Sequence, residues 1–337
     1  MRTGTDSAPH FLAMVGPTAS GKTALSLEVG RRLAVEVISM DSRQVYRGMD
    51  VGTGKVSLRE RALLPHHGLD LRDPGERYSA GQFARDARGW IRDIRGRGRV
   101  PLLVGGTGFF LRALVQPLFP EPELDRERLE RLRTLLNRLP AEEVHAYVKV
   151  LDPARAAEAW KGGRQRLTRA VEVPLLTGQT LSWWHAEPGP DVEPLRGLIV
   201  LLHLPREDLY ERINRRVGRM LGAGWVEEVE LLLEEGYRPE DPGLTGAGYR
   251  EIVGFLQGGP GLDATADEIR CSHRRYARRQ VTWFRHQLPA GTVALDGTMA
   301  PESLSRRVVD IWRGAGAAGR WRAEPGQGGS KGREEVQ

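Results

Sequence analysis

A single cysteine, Cys271, stands in the 337 residues. No disulfide can form within the chain, and a cysteine-based zinc site finds no support. No apolar run approaches the roughly 20 residues that a bilayer-spanning helix needs. The opening residues, Met1–His10, are polar and offer no apolar segment ahead of a cleavage site, so no secretory signal is read there. These absences together lead to the expectation of a cytoplasmic protein without a membrane. Lysine is scarce as well. It occurs only at Lys22, Lys55, Lys149, Lys161 and Lys331, so 45 of the 50 basic residues are arginine. The net charge of +6 permits a polyanionic partner. An arginine bias of this size also follows from a GC-rich genome, so charge alone does not decide between nucleic-acid binding and a solvated surface.

The hydrophobic share of 40% is enough for a proper core. Phe11–Val15 is a short apolar run, then comes a glycine-rich turn, then the helix-like Ala24–Leu33. Val35–Met40 reads as a second buried strand ending at Asp41. Tyr78–Arg95 has Phe83, Ala87, Trp90, Ile91 and Ile94 at helical spacing, and Ser79 with Gln82 makes a capping box at its start. Val100–Val104 is a third buried strand, followed by Gly105-Gly106-Thr107. Strands alternating with helices predict a parallel α/β sheet. Near Gln116 the character changes. Pro117, Pro120, Pro122 and Pro140 punctuate a stretch without strands, and Leu129, Leu132, Leu136 and Leu139 share a helical stripe. The division expected is a P-loop α/β core at 10–115 and 196–313, an all-helical insertion at 116–195 and a disordered tail at 314–337. Gly197–Leu204 reads as a strand returning to the sheet. Leu209–Leu221, Trp225–Glu235 and the arginine-rich Ala266–Gln287 read as helices.

Gly16-Pro17-Thr18-Ala19-Ser20-Gly21-Lys22-Thr23 matches the phosphate-loop pattern G-x-x-x-x-G-K-[ST] in full. Its glycines let backbone N–H groups turn toward phosphate oxygens. Lys22 adds a point charge, the helix behind the loop favours anions, and the Thr23 hydroxyl can reach a Mg²⁺ ion. The loop identifies phosphates without saying whether they belong to ATP or to another ligand. In open α/β sheets, ligands sit beyond the carboxyl ends of the strands, so Asp41 and Thr107 are expected in the same crevice. Asp41 serves equally as a metal ligand, a general base or a turn cap. An acidic residue after the third strand would suit ATP hydrolysis, and Gly-Gly-Thr stands there instead.

Beyond these features the chain resembles a known family. Gly16–Thr23, Ile38–Asp50, Pro101–Gly108, Gln165–Val173, Gly248–Glu251 and Arg274–Arg285 resemble, in order, the motifs of the tRNA dimethylallyltransferase (isopentenyltransferase) family. The resemblance spans about residues 11 to 296. It implies a P-loop NTPase-like parallel sheet flanked by helices, with a helical insertion. It implies transfer of a dimethylallyl group from dimethylallyl diphosphate to N6 of the adenosine 3′ to the anticodon, position 37, of tRNAs reading codons that begin with U. By this resemblance Asp41 is the general base, and Thr107 and Arg216 act on the diphosphate together with the phosphate loop and Mg²⁺. The tRNA anticodon stem-loop is expected to meet Asp41, Ser42, Arg43, Gln44, Thr107, Arg126, Gln165, Arg166, Leu167, Thr168, Arg169, Gly248, Tyr249, Arg250, Arg274 and Arg278. Arg270, Arg274 and Arg278 form one row on the last long helix, and Arg275 and Arg279 another; such rows suit phosphate positioning.

Some residues depart from the family pattern: Phe110 for tyrosine, Gly54 for alanine, Val171 for leucine and Lys161-Gly162-Gly163 for a more polar turn. His66-His67 is read as structural, and Trp283 and Phe284 as core anchors. Three rivals stay open on the residues alone: a small-molecule kinase, a prenyltransferase acting on free AMP or ADP, and a non-catalytic nucleic-acid binder. A monomer is expected, since no apolar stripe exceeds the needs of the core.

Overall fold

The computed structural model describes residues 9–116, 124–186 and 194–318. The chain divides into two compact units, one of Met1–Val115 with Leu195–Gln337, the other Gln116–Pro194.

The first unit is built on β1 (Phe11–Val15), α1 (Lys22–Gly30), β2 (Val35–Ser39), α2 (Leu58–Leu63), β3 (His66–His67), α3 (Ala80–Gly96), β4 (Val100–Gly105) and α4 (Gly108–Val115). All five residues of β1 are buried, as are all five of β2. Burial on both faces is what a parallel sheet covered by helices requires. The side chains of Ser79 and Gln82 form the reciprocal cap at the start of α3. In the second unit lie α5 (Arg126–Arg138), α6 (Ala141–Leu151), α7 (Ala156–Lys161), α8 (Arg164–Thr177) and α9 (Leu181–Ala186). The chain then returns through β5 (Gly197–His203), α10 (Arg206–Gly222), α11 (Trp225–Glu234), α12 (Tyr249–Leu256), α13 (Leu262–Gln287), β6 (Val293–Asp296) and α14 (Pro301–Ala318).

The six strands form one sheet in the order β3-β2-β4-β1-β5-β6, every pair parallel. The α/β expectation therefore holds. The registers Val15 with Gly105 and Ser39 with Val104 bring three strand ends level. The phosphate loop, Asp41 and the Gly105–Thr107 turn thus emerge side by side. A Cβ on Gly105 would lie 2.0 Å from the Met40 carbonyl oxygen, so glycine is what lets β2 and β4 end in contact.

One core packs Leu12, Met14, Val37, Leu102 and Val200 of the sheet against Leu25 and Val29 of α1 and Leu304 and Val308 of α14. The Arg32 Nε–H also donates to Ser305 Oγ (2.8 Å). The 314–337 stretch expected to be disordered is thereby corrected at its start. Helix α14 runs to Ala318, since its apolar residues cover the sheet beside α1, and 319–337 lies outside the described residues. A second core unites Tyr46 and Met49 with Ile213, Val217, Trp225, Val229, Tyr249, Ile252, Ile269 and Ala277.

The insertion has its own core: Leu136, Val144, Val148, Ala156, Ala159, Leu167, Ala170 and Val171. Buried Glu172 is held there by the Arg133 guanidinium. Of the Leu stripe, Leu136 is inside, and Leu132 and Leu139 pack against it.

At the opposite end of β2 from Asp41, Glu36 is buried. It accepts from Arg97 Nε (2.9 Å) and Nη2 (2.7 Å) and pairs with His67 Nε2 (2.8 Å). The Arg97 bonds hold its carboxyl down at about 2, from an ordinary value of 4.5, against the upward pull of burial. A depressed carboxyl stabilises the fold above its unfolded value and loses that contribution as the pH falls through its folded one. Glu36→Gln should therefore cost on the order of 2 kcal/mol near neutrality, between the values for exposed and buried pairs. Urea unfolding should show the gap to the parent closing between about 4.5 and about 2. A gap independent of pH would exclude this ion pair as its source.

Candidate active site

Beyond the strand ends lies a cleft of about 820 Å³. The phosphate loop lines it through Thr18, Ala19, Gly21, Lys22 and Thr23, with Asp41 and Gln44 from the β2 end and Gly105 and Gly106 from the β4 end. Arg212, Arg215, Arg216 and Arg219 of α10 face it, and Tyr276 and Gln280 of α13 close it. A smaller cleft of about 340 Å³ adjoins, lined by Ser42, Arg43, Thr53, Arg250, His273, Arg275 and Arg279 among others. Thr18, Asp41, Arg216 and Tyr276 line both. A carboxylate therefore stands where the two spaces meet.

The loop's own geometry suits an anion. Ala19 holds a positive φ of 63°, and Gly21, at 95°, caps α1. Lys22 and Thr23 open that helix, where the first backbone N–H groups have no helical acceptor. Lys22 Nζ donates to the carbonyls of Gly16 (2.9 Å) and Pro17 (2.7 Å). Burial, then the positive Arg216, pushes the Lys22 ammonium down to about 7, with Asp41 opposing. Arg216 is itself lowered by burial, again with Asp41 opposing. Arg216 Nη2 donates to the Thr53 carbonyl (3.0 Å), and its buried Nε has no partner among the described residues.

Asp41 Oδ1 accepts from Arg43 N–H (2.9 Å), which fixes the carboxylate. The neighbouring Ser42 N–H donates to Thr107 Oγ1 (3.1 Å). Thr107 lines neither cleft. Its hydroxyl oxygen ties the Asp41–Ser42 turn to the turn after β4, beside Tyr276, which lines both clefts. Tyr276 is raised to about 12 by burial and then by Asp41, with Arg43 and a Thr107 hydrogen bond opposing. It therefore stays a neutral phenol at the junction.

The remaining expected residues divide. Arg43 gives its Nη1 to the carbonyl of Pro242 and, at 3.4 Å, of Gly243. Arg274 bonds Asn214 (3.0 Å) and lies over the Tyr210 ring. Arg278 lines neither cleft, whereas Arg275 and Arg279 line the smaller one. Of the two arginine rows, the second is the one that faces it. Tyr249 is 1% exposed and Leu167 is 1% exposed. Both were expected to meet RNA; both are core residues, which rules out side-chain contact. Gly248 is buried and Arg250 is exposed. In the insertion, Gln165 and Arg166 are exposed, and Thr168 and Arg169 are half-buried along α8. The Arg126 side chain lies outside the described residues. Trp283 packs on Gly108, where a Cβ would approach it to 2.2 Å, and Phe284 is buried.

Sequence reading overlooked Gln280, Tyr276, His273 and the Arg212/Arg215/Arg219 face. His273 is pushed down to about 4 by burial and then by Arg216, so it is neutral near pH 7. The helical stripe of Ile269, His273, Ala277, Gln280 and Phe284, all buried, was a usable signal. Its two polar members argued against reading it as the inner face.

The IPP transferase family model matches residues 44–287, and an isopentenyl transferase model matches 9–63. The chain is similar to a tRNA dimethylallyltransferase of Thermomicrobium roseum, 43% identical over 81% of this chain and 83% of that one. It is similar to tRNA dimethylallyltransferase 1 of Syntrophotalea carbinolica, 42% identical over 83% and 89%. Among solved structures, the tRNA isopentenylpyrophosphate transferase of Bacillus halodurans aligns with a TM-score of 0.67 and 33% identity, covering 92% and 97%. A eukaryotic dimethylallyltransferase acting on tRNA aligns at 0.74 and 26%, covering 90% and 78%.

The depressed Lys22 makes anion binding pH-dependent. An anion favours the charged ammonium, so each complex formed above about 7 must first take up a proton. Pyrophosphate affinity, followed by calorimetry over roughly one pH unit on either side of that value, should weaken with rising pH relative to Lys22→Arg. The arginine variant keeps the ligand's own titration and loses that of the lysine. Parallel profiles for the two proteins would show that Lys22 is not the titrating group.

Proposed function

The chain belongs to the IPP transferase family, and on that ground we propose how its two clefts divide the work of prenylating tRNA. The protein transfers a dimethylallyl group to tRNA. The donor in this reading is dimethylallyl diphosphate, with its diphosphate on the phosphate loop in the larger cleft. The acceptor is N6 of the adenosine 3′ to the anticodon, entering from the smaller cleft after leaving its stack. The observation that carries this reading is Asp41, which lines both spaces and has one oxygen anchored by Arg43 N–H.

An exocyclic adenine amine is a weak nucleophile, because its lone pair is delocalised into the ring. As N6 bonds to the allylic carbon, the carbon–oxygen bond to the diphosphate breaks and Asp41 takes the N6 proton. Charge on the leaving diphosphate is met by Lys22, Arg216 and the loop amides. Arg212, Arg215 and Arg219 add positive charge along the same wall. Mg²⁺ is expected with the donor. Mg²⁺ with a diphosphate is held mainly by water and phosphate oxygens. The exposed Thr23 hydroxyl at the cleft is the protein ligand the chain offers. When bound, the ion supplies neutralisation of the departing diphosphate. The neutral Tyr276 phenol, with Arg279 over its ring at 5.6 Å, forms a wall between donor and acceptor.

Gln165, Arg166, Thr168 and Arg169 on α8, with Arg126, are proposed to meet the anticodon stem-loop, and Arg275 and Arg279 to meet the nucleotides at the smaller cleft. A monomer is the assembly proposed. No described helix is long and apolar enough to cross a membrane, and action in the cytoplasm on free tRNA is the setting proposed.

Incubation with dimethylallyl diphosphate, Mg²⁺ and unmodified tRNA, followed by nucleoside mass analysis, should give one dimethylallyl gain on one adenosine. Labelling of free AMP, or a requirement for ATP, would overturn the assignment. Asp41→Asn should keep pyrophosphate affinity and lose roughly 10²–10⁴-fold in turnover; equal losses in both would make Asp41 a binding group. Arg275→Ala with Arg279→Ala should raise the KM for tRNA and flatten its salt dependence, with the donor KM unmoved.

A further inference from the structure

The loop between Met49 and Lys55 touches the larger cleft only through Gly54, yet it supplies the carbonyl that holds Arg216. Its shape is set from outside. Glu228 on α11 accepts three consecutive backbone N–H groups: Asp50 (2.7 Å) and Val51 (2.6 Å) on Oε2, and Gly52 (3.1 Å) on Oε1. The same Oε1 accepts the Tyr249 hydroxyl (2.6 Å). Successive N–H groups turned to one anion form a nest, and here the anion is the protein's own carboxylate. A Cβ on Gly52 would fall 1.8 Å from Trp225 Nε1, so glycine is what lets this loop lie against α11.

From the nest the chain turns back. Gly54 N–H donates to Val51 O (3.0 Å) and Lys55 N–H to Asp50 O (3.0 Å). This turn points the Thr53 carbonyl at Arg216 Nη2 (3.0 Å) and at Gln44 Nε2 (3.3 Å). Gly54, at a φ of +62°, leaves room for that guanidinium: a Cβ there would be 2.5 Å from Arg216 Nη2.

We propose that Glu228 is a positioning residue for the prenyl transfer: its carboxylate shapes the 50–54 loop so that Thr53 aims Arg216 into the anion cleft. The inference rests on the reading above, in which Arg216 holds the diphosphate. Glu228 itself lines neither cleft, so it acts through Arg216 and not on substrate. Only an acceptor at both oxygens satisfies four donors. Glutamine in its place puts an N–H₂ against either Asp50 and Val51 or Gly52 and Tyr249.

A double-mutant cycle with Glu228→Gln and Arg216→Ala tests the link. Glu228→Gln should raise the donor KM roughly tenfold, the scale of losing charged hydrogen bonds, with a smaller rise in the tRNA KM, since Gly52 and Thr53 also line the smaller cleft. In the Arg216→Ala background the same change should add nothing. Should Glu228→Gln unfold the chain, Tyr249→Phe removes one of the four donors and is carried through the same cycle. Losses that multiply, or a rise in the tRNA KM equal to that for the donor, would overturn the role of Glu228. An Arg216→Ala variant with an unaltered donor KM would instead refute the reading of Arg216.

Discussion

A single carboxamide holds the cleft together. Gln280 is buried, and its Oε1 accepts the Thr18 N–H of the phosphate loop (2.8 Å) while its Nε2 donates to the Gly106 carbonyl (2.9 Å). The phosphate loop, the turn after β4 and the arginine-rich helix α13 are thereby tied at one point. Gly106 answers this bond in the sequence, since a Cβ there would stand 2.3 Å from Gln280 Nε2. Removing the carboxamide would leave two backbone groups unpaired, and such groups are expensive to bury. It also commits the Thr18 amide to the protein, so the anion is left to the amides deeper in the loop.

Around that tie the site is electrostatically lopsided. Lys22, Arg212, Arg215, Arg216 and Arg219 share one cleft, with Asp41 as its carboxylate. Burial, with a smaller push from neighbouring positive charges, depresses Lys22 and Arg216. Such a cleft is unfavourable to itself and is relieved by a polyanion. In the proposed reaction the diphosphate supplies that relief when it binds, and the same charges then favour its departure. Asp41 lies at the edge of this field and next to the smaller cleft, where a proton from an incoming amine has somewhere to go.

Much of this was legible in the residues. Phe11–Thr23 spelled strand, loop and helix, and Asp41 and Thr107 followed from strand ends in a parallel sheet. What stayed hidden had physical reasons. Helical spacing reveals two arginine rows on α13 but not which one turns inward; the buried Ala277, Gln280 and Phe284 decide that, and a buried glutamine does not look apolar. Thr107 was expected beside the cleft from its strand end, and its role on the diphosphate came from the family resemblance. Its bond to the Ser42 N–H depends on two turns meeting across the sheet, which no local motif announces. Val293–Asp296 is four residues with two exposed, too short to announce a strand. Pro301–Ala318 ends in glycine and alanine, which masked a helix whose inner face is Leu304, Val308 and Val309. Glu228 carried no motif, because its partners are backbone amides nearly 180 positions away.

The account turns on a carboxylate placed between a bound diphosphate and an everted purine. A crystal structure with a non-hydrolysable donor analogue and an anticodon stem-loop would test that placement directly. The adenine amine should lie roughly 3 Å from Asp41, with the diphosphate on Lys22 and Arg216. A purine amine seated away from Asp41, or a diphosphate held outside the phosphate loop, would contradict it.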